Sequence, residues 1–337
     1  MKKPRLRALV LAAGHGSRLQ PLTAFIPKPL LPVRGTAAVA HTIDQLVALG
    51  CEGIAINLFH RGEQIRKGLG ESRDGVSLTY SIEKEFRGTL GALAPLRDIL
   101  GRGEMILIVN GDSLCRWPLR SLLRRHRRSR ADATLLVSRR IDPEPFGGGV
   151  EVADHKSVVG LRPARTLDSE NPRRVFMGAH VLSPALLDKV PAEGAADFVA
   201  DLYEPLLAAG GSIAARETSR KWHDLGTPER YRRAVLDWGS RRSWQSMDAT
   251  VAAGSNVRGS VIEAGAAVQN ESRVSASVVL ANARIGTGSR VVESIIGPGV
   301  DLPPHTTVQR RMVTPVRADA PTSDNASVVG GLVYEPI

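Results

Sequence analysis

"VAAGSNVRGSVIEAGAAVQNESRVSASVVLANARIGTGSRVVESIIGPGV", residues 251–300, has a beat that neither an α-helix nor a flat β-strand explains. Aliphatic residues stand at Val251, Val257, Ile262, Val268, Val274, Val279, Ile285, Val291, Ile296, Leu302 and Val308. The steps between them are 6, 5, 6, 6, 5, 6, 6, 5, 6 and 6, so the pattern recurs every 17 residues. Ser255, Ser272 and Ser289 keep the same interval, as do Ser260, Ser277 and Ser294. An amphipathic helix would repeat every ~3.6 residues and a half-buried strand every two. One apolar residue on each face of a three-sided coil, with small residues at the corners, reproduces the beat. Coils stacked about 4.8 Å apart would bury a narrow aliphatic column. The expectation is a short left-handed parallel β-helix over 246–310, roughly three coils long.

The whole chain has 337 residues, enough for two domains of ordinary size, and 42% of them are hydrophobic, enough for a real core. No apolar run approaches the roughly 18 residues of a membrane span. "MKKPRLRALVLAAG" imitates a leader peptide, but its apolar run is short and leads into GHGSR, so it is read as a first strand. Two cysteines, Cys51 and Cys115, offer neither a disulfide framework nor metal spacing, which suits a reducing cytoplasm. The net charge of +11 invites a nucleic-acid reading, concentrated in "RSLLRRHRRSR" at 120–130. That block has no aromatic residue for base stacking and no helix-turn-helix, zinc or RNP signature accompanies it. It reads as a helix with a solvated basic face. Excess positive charge also draws small anions toward a cleft.

Ahead of the repeat, short β-like runs alternate with helical stretches, the pattern of a mostly parallel sheet covered by helices. Strands are expected at 6–12, 53–58, 76–81, 105–109, 134–138, 149–152 and 174–181. Helical runs are expected at 37–49, 61–69, 91–100, near 197–209, and at 228–238 with Thr227 as its cap and Pro228 in its first turn. The fold class is therefore α/β: a Rossmann-like mixed, mostly parallel sheet with flanking helices over 1–240, then the β-helix. A proline- and polar-rich tail, 311–337, ends in "VVGGLVYEPI". Its docking, on the chain itself or on a neighbouring copy, is left open.

The first strand runs into "LVLAAGHGSRLQPLTAFIPKPLLPV", residues 9–33. This is neither a Walker A loop nor a dinucleotide fingerprint. Bare glycine backbone can nevertheless approach phosphate oxygens closely. Arg18 adds a planar multi-donor cation and Lys28 a point charge, a pair suited to polyphosphate. Pro27 and Pro29 are expected to hold the backbone around Lys28 extended and stiff.

The full string G-x-G-S-R-L-x-P-L-T-x-x-x-P-K-P-L-L-P-V resembles the nucleotide loop of the sugar-1-phosphate nucleotidyltransferases, and the resemblance extends over about 6–310. It implies that Leu11, Ala12, Ala13 and Gly14 approach the base and ribose, and that Gly16, Ser17 and Arg18 wrap the phosphates. Arg18 and Lys28 would be the catalytic cations. "RGTLGAL", 87–93, is similar to a second family segment, placing Gly88 and Thr89 against the base. Glu83, just upstream, has the chemistry to read a base edge. In "ILIVNGDSL" and "WHDLGTPERY", Asp112 and Asp224 match the family's two acidic residues and are expected to hold Mg²⁺. Gly149, Gly178 and Asp197 are implied in the sugar pocket. Where many members carry Glu-Lys-Pro, this chain reads "VVGLRPARTL", leaving Arg162 or Arg165 as substitutes for the lysine.

The resemblance thus implies NTP and a sugar 1-phosphate as partners, NDP-sugar and pyrophosphate as products, and Mg²⁺ as cofactor. GTP and mannose 1-phosphate are the first expectation. Thymidylyl or uridylyl transfer to a glucose- or muramyl-type 1-phosphate is the alternative, and a non-catalytic sensor or assembly subunit is the alternative of another class. The β-helix, with His305 at its end as the histidine nearest its coils, is expected to serve structure or self-association rather than acyl transfer. A cytoplasmic location, with no nucleic-acid or membrane partner, completes the reading.

Overall fold

The computed structural model describes residues 5–146, 149–161, 171–240 and 242–337. They fall into two compact units: the residues up to Gly14 with Val39–Trp222, and His15–Ala38 with His223–Ile337.

The first unit is built on a mixed sheet. Its strands include β1 (Leu6–Leu11), β2 (Gly53–Leu58), β3 (Val76–Ile82), β4 (Met105–Asn110), β5 (Ala133–Ser138), β6 (Val150–Val152), β7 (Val158–Leu161), β8 (Arg173–Leu182) and β9 (Ile213–Thr218). β1 lies between β2 and β4, parallel to both, with Leu11 level with Asn57 and with Asn110. β3 continues the parallel group beyond β2. β8 runs antiparallel to β4 and β5, and β9 is parallel to β5. The central strands are near-continuous aliphatic runs because both faces are covered: Leu9, Ile56 and Ile108 are fully buried. Four parallel strands thus end at one edge, where open α/β sheets carry their ligands.

The helices explain themselves by burial. In α3 (Leu119–Ser129), which follows α1 (Ala38–Leu49) and α2 (Gly62–Leu69), Leu119, Leu122 and His126 turn inward while Arg124, Arg127 and Arg128 are exposed. The basic block is a solvated face, and His126 Nδ1 meets Thr134 Oγ1 at 2.9 Å. Two helical expectations change in kind. Residues 91–100 form a 3₁₀ stretch, Gly91–Leu96, and then one α-turn, Arg97–Leu100. Pro95 inside it has no N–H to give an α-ladder. The helix near 197–209 opens as a π-turn, Phe198–Tyr203, before the short α-segment Glu204–Ala208. Cys51 and Cys115 are free and buried, and burial pushes both thiols up to about 12. Among the described residues no helix is long and apolar enough to cross a membrane.

The second unit carries the repeat. Its strands pair in parallel at a constant offset of 17 residues, for example Val261 with Val278, Val268 with Ile285, and Val274 with Val291. Two faces are stacks of four strands, so the solenoid is deeper than the roughly three coils expected. Ile262, Val268, Val274, Val279, Ile285, Val291, Ile296, Leu302 and Val308 are all buried in one column, with Val251 and Val257 packed at its open end. The repeated serines are buried for a hydrogen-bonding reason. Ser277 Oγ donates to Ser275 O and accepts from Ser294 N, one coil on, at 3.0 Å. Ser260 does the same between Arg258 O and Ser277 N. A hydroxyl at each corner thus satisfies a backbone group that the turn leaves unpaired.

The tail packs back on its own chain. Arg311–Pro315 continues one face, and Leu332–Pro336 returns antiparallel along it, burying Leu332 and Val333. Gly330 and Gly331, at φ 57 and 77, make the hairpin turn leading into that strand from Ser327–Val329. The returning strand covers an otherwise unpaired sheet edge.

Also in this unit, α4 (Pro228–Asp237) starts as expected, with Thr227 Oγ1 accepting from Arg230 N. The opening loop is anchored to it. Arg34 donates to Val235 O, Leu236 O and Ser240 O, covering the helix's C-terminal carbonyls. Tyr231 Oη donates to Pro32 O at 2.7 Å.

Glu263, from the β-helix and 2% exposed, accepts from Gly35 N at 2.9 Å, while its Oε1 has no hydrogen-bond partner. Burial raises its carboxyl from 4.5 to about 6, against the pull of the Gly35 and Arg34 amides and the Arg34 guanidinium. Buried Tyr231 faces the same carboxylate and stays neutral. Folding therefore favours the protonated acid. Its contribution is complete below pH 4.5 and is lost as pH rises through about 6. Glu263→Gln should abolish that dependence. The stability difference between wild type and variant is expected to move by on the order of 2 kcal/mol between pH 4.5 and 7.5. Denaturant titrations at the two pH values check it, and a pH-independent difference would refute it.

Candidate active site

In the first unit, the expected nucleotide residues meet at the carboxyl edge of the parallel strands. Leu11 ends β1, and Ala12 and Ala13 are buried just beyond it, with Gly14 exposed. Gly111 N donates to Leu11 O at 2.8 Å, folding the end of β4 over β1. A Cβ on Gly111 would stand 3.0 Å from that same carbonyl, so the close approach needs glycine. Asp112 follows, half-buried, with Ser113 Oγ 3.5 Å from its Oδ1.

Gly178, in β8, sits at the same edge because its neighbour Ala179 is level with Val109. Its φ is +83, and a Cβ there would press on the Asn110 side chain at 3.0 Å. Gly149, at φ +101, would drive a Cβ to 2.5 Å from Arg174 O. Both glycines, expected in the sugar pocket, have a backbone reason to be glycine.

Thr89 and Asp197, assigned by sequence to different parts of the ligand, lie together. Thr89 Oγ1 donates to Asp197 Oδ2 at 3.3 Å and accepts from Phe198 N. Asp197 Oδ1 accepts from Val199 N and Ala200 N, so the residue is also the N-cap of the turn at Phe198–Tyr203. Gly88, at φ +70, lies so close to the segment leading into that turn that a Cβ would reach 2.5 Å from Ala196 O.

Glu83, expected at a base edge, is held by hydrogen bonds within the protein. It is 6% exposed, and both its oxygens are engaged inside the protein. Asn57 Nδ2 donates to Oε1 at 2.8 Å and Arg87 N to Oε2 at 3.0 Å. Asn57 itself was missed. It is 1% exposed at the end of β2, and its Oδ1 accepts from Ala12 N at 3.0 Å. The signal was present, because an asparagine inside the apolar run GIAINL has to find hydrogen-bond partners.

In the second unit, Gly16 adopts φ 68 before the short turn Ser17–Leu19, which leaves Ser17 and Arg18 exposed and buries Leu19. Thr23 Oγ1 donates to Gly16 O, and a Cβ on Gly16 would lie 3.1 Å from Lys28 Cβ. Lys28 is 8% exposed. The expected extended backbone holds at Pro27 alone, for Lys28–Leu30 forms a 3₁₀ turn. Leu30 N bonds Pro27 O and Leu31 N bonds Lys28 O, satisfying carbonyls that an extended chain would leave open. Asp224 pairs with Arg230 and also borders Arg18. A Cβ on Gly226 would be 2.9 Å from both Asp224 oxygens and 3.1 Å from Arg18 Nη2.

Asp112 and Asp224 offer hard carboxylate oxygens only. Among the described residues no group of three or more His, Cys, Asp or Glu forms a closed cage. That donor chemistry fits Mg²⁺, which takes most of its shell from phosphate and water. Arg162 and Arg165 lie outside the described residues.

Residues 7–240 match the nucleotidyl transferase family model, and 240–313 match the GlmU-like C-terminal hexapeptide model. The chain belongs to the nucleotidyl transferase family, with a left-handed β-helix of the hexapeptide type. Similar curated proteins include a mannose-1-phosphate guanyltransferase of Schizosaccharomyces pombe, 26% identical over 76% of this chain and 71% of that protein. A mannose-1-phosphate guanyltransferase beta-B of Xenopus laevis is 27% identical over 66% of this chain. The matched part spans 62% of that relative's length. Among solved structures, HddC from Yersinia pseudotuberculosis aligns with a TM-score of 0.58 at 20% identity, covering 69% of this chain and 99% of that one. That likeness concerns the fold.

Proposed function

We propose that the chain transfers a nucleotidyl group from GTP to mannose 1-phosphate, forming GDP-mannose and pyrophosphate. The observation that supports this best is the gathering of Ala12–Gly14, Gly111–Asp112 and Gly178 at one sheet edge in a chain of this family. The similarity to proteins named as guanyltransferases favours the nucleotide and the sugar. Catalysis is assigned to 1–240. The β-helix at 246–310 and the tail at 311–337 are assigned to structure or self-association.

A sugar-phosphate oxygen attacks the α-phosphorus, and the bond to the β-phosphate oxygen breaks, its electron pair leaving with pyrophosphate. The attacking oxygen is anionic at neutral pH, so no general base is needed. The obstacle is repulsion between two anions and charge growing on the leaving group. Arg18 and Lys28 are the proposed partners of that charge, the guanidinium by multiple donors and the lysine as a compact cation. Gly14, Gly16 and Ser17 supply backbone amides to the phosphates. Asp112 and Asp224 are the proposed ligands of a divalent ion, which when bound would neutralise the α-phosphate.

Pyrophosphate release, measured for GTP, ATP, UTP, CTP and dTTP against mannose, glucose and N-acetylmuramic acid 1-phosphates, tests the reading. Preference for GTP with mannose 1-phosphate supports it. Preference for dTTP or UTP with another sugar would move the assignment within the family, and absence of release with every pair would favour a sensor.

A further inference from the structure

We infer that Glu83 and Asn57 are positioning residues for nucleotidyl transfer, acting as one buried brace between the loop after β1 and the turn at Arg87–Thr89. The inference rests on the nucleotidyl-transfer reading above. The brace is a single line of hydrogen bonds. Ala12 N donates to Asn57 Oδ1, Asn57 Nδ2 donates to Glu83 Oε1, and Arg87 N donates to Glu83 Oε2. A further bond from Glu83 N to Leu58 O fixes the glutamate's own backbone beside β2. The two ends of the line are backbone amides of the two segments that the sequence assigns to the nucleotide. The Arg87 end is itself clamped, since Ala196 N donates to Arg87 O and Leu90 N to Ala196 O.

The chemistry of the line allows one arrangement. A backbone N–H is a donor only, so Ala12 requires an acceptor and the asparagine must turn Oδ1 toward it. Its Nδ2 then points at residue 83, where the Arg87 amide also donates. Residue 83 therefore has to accept at both ends, which a carboxylate does and an amide does not. Glutamine there would place an NH₂ against one of two donors, and Asn57 cannot flip to help without facing Ala12 N with a second donor. Burial makes the mismatch costly, most of all at the Asn57 end, where both side chains are almost wholly buried.

The arrangement makes a swap testable. In Asn57→Asp combined with Glu83→Gln, the aspartate accepts from Ala12 N and from the glutamine NH₂, and the glutamine oxygen accepts from Arg87 N. Every donor is matched again. Each single variant is expected to lower kcat/KM by roughly 10- to 100-fold, by the same factor for every nucleotide the wild type uses. The loss should fall on kcat and the nucleotide KM, not on the sugar 1-phosphate KM. The double variant should recover to within a few fold of wild type, a non-additivity that independent sites do not show. Amide hydrogen exchange in peptides spanning 9–14 and 83–90 gives a readout free of turnover. Both peptides should exchange faster in the single variants and return toward wild type in the swap.

A change in the ranking of nucleotides in Glu83→Gln alone would overturn the proposal in favour of base reading. So would a double variant no better than the worse single one. If the wild type transfers no nucleotide, the functional reading fails, and the exchange pattern still decides whether the brace exists.

Discussion

Asp112→Asn is expected to lower turnover by about 100-fold or more at saturating substrate, with melting within a few degrees of wild type. The carboxylate stands half-buried after Gly111, at the end of β4, with the neighbouring Ser113 hydroxyl 3.5 Å from its Oδ1. Asparagine keeps the volume and leaves an oxygen that can still accept from Ser113, and at a half-buried position the exchange is expected to cost the fold little. It removes the negative charge that a divalent ion requires of a hard ligand. The measurement is pyrophosphate release as a function of Mg²⁺ concentration, alongside a melting curve. A variant that retains near-normal Mg²⁺-dependent turnover would remove Asp112 from the site.

Gly226→Ala should have the second-largest effect, roughly 10- to 100-fold on kcat/KM, for a different physical reason. The new methyl would meet the Asp224 carboxylate and the Arg18 guanidinium, both ends of flexible side chains. The protein can therefore accept the methyl cheaply by moving them, and stability should change by less than about 1 kcal/mol. The groups that move are the proposed metal ligand and the proposed phosphate cation. A displacement of about an ångström there is enough to spoil an aligned phosphoryl transfer. Gly88→Ala makes the contrasting control, because its methyl would strike the Ala196 carbonyl, which cannot yield without shifting backbone. It should lose stability and activity together. Steady-state kinetics and denaturant titration of both variants separate the cases. Unchanged kinetics in Gly226→Ala would mean that the positions of Asp224 and Arg18 are not critical.

Much of the architecture was legible because it rests on periodicities. The 17-residue beat reports the β-helix directly, since coils stacked in register must place like residues above like, as Val261 over Val278 shows. The central parallel strands β1, β2 and β4 were legible as aliphatic runs, because both faces are buried, whereas β3, VSLTYSI, keeps an alternation with polar residues. Helix type was less legible at 91–100 and 197–209, where Pro95 and Pro205 each lack the N–H that an α-ladder needs, without changing the apolar pattern. The eleven aliphatic positions already put four strands on two faces, and on the third face Trp244–Gln245 extends the stack without an aliphatic residue of the repeat.

The chain's own sequence determined which chemistry is present. It contained glycines that permit close approach, the two cations and two carboxylates that the proposed chemistry uses, and the repeat that builds the solenoid. These are properties of residue type and local spacing, and they survive without coordinates. Only the tertiary structure decided what each group is bonded to. It turned Glu83 inward onto Asn57 and Arg87, joined Thr89 to Asp197, set Gly226 beside Asp224 and Arg18, and folded the tail back on the β-helix. Hydrogen bonds between residues tens of positions apart depend on which strand ends meet at one edge, and no local pattern carries that information.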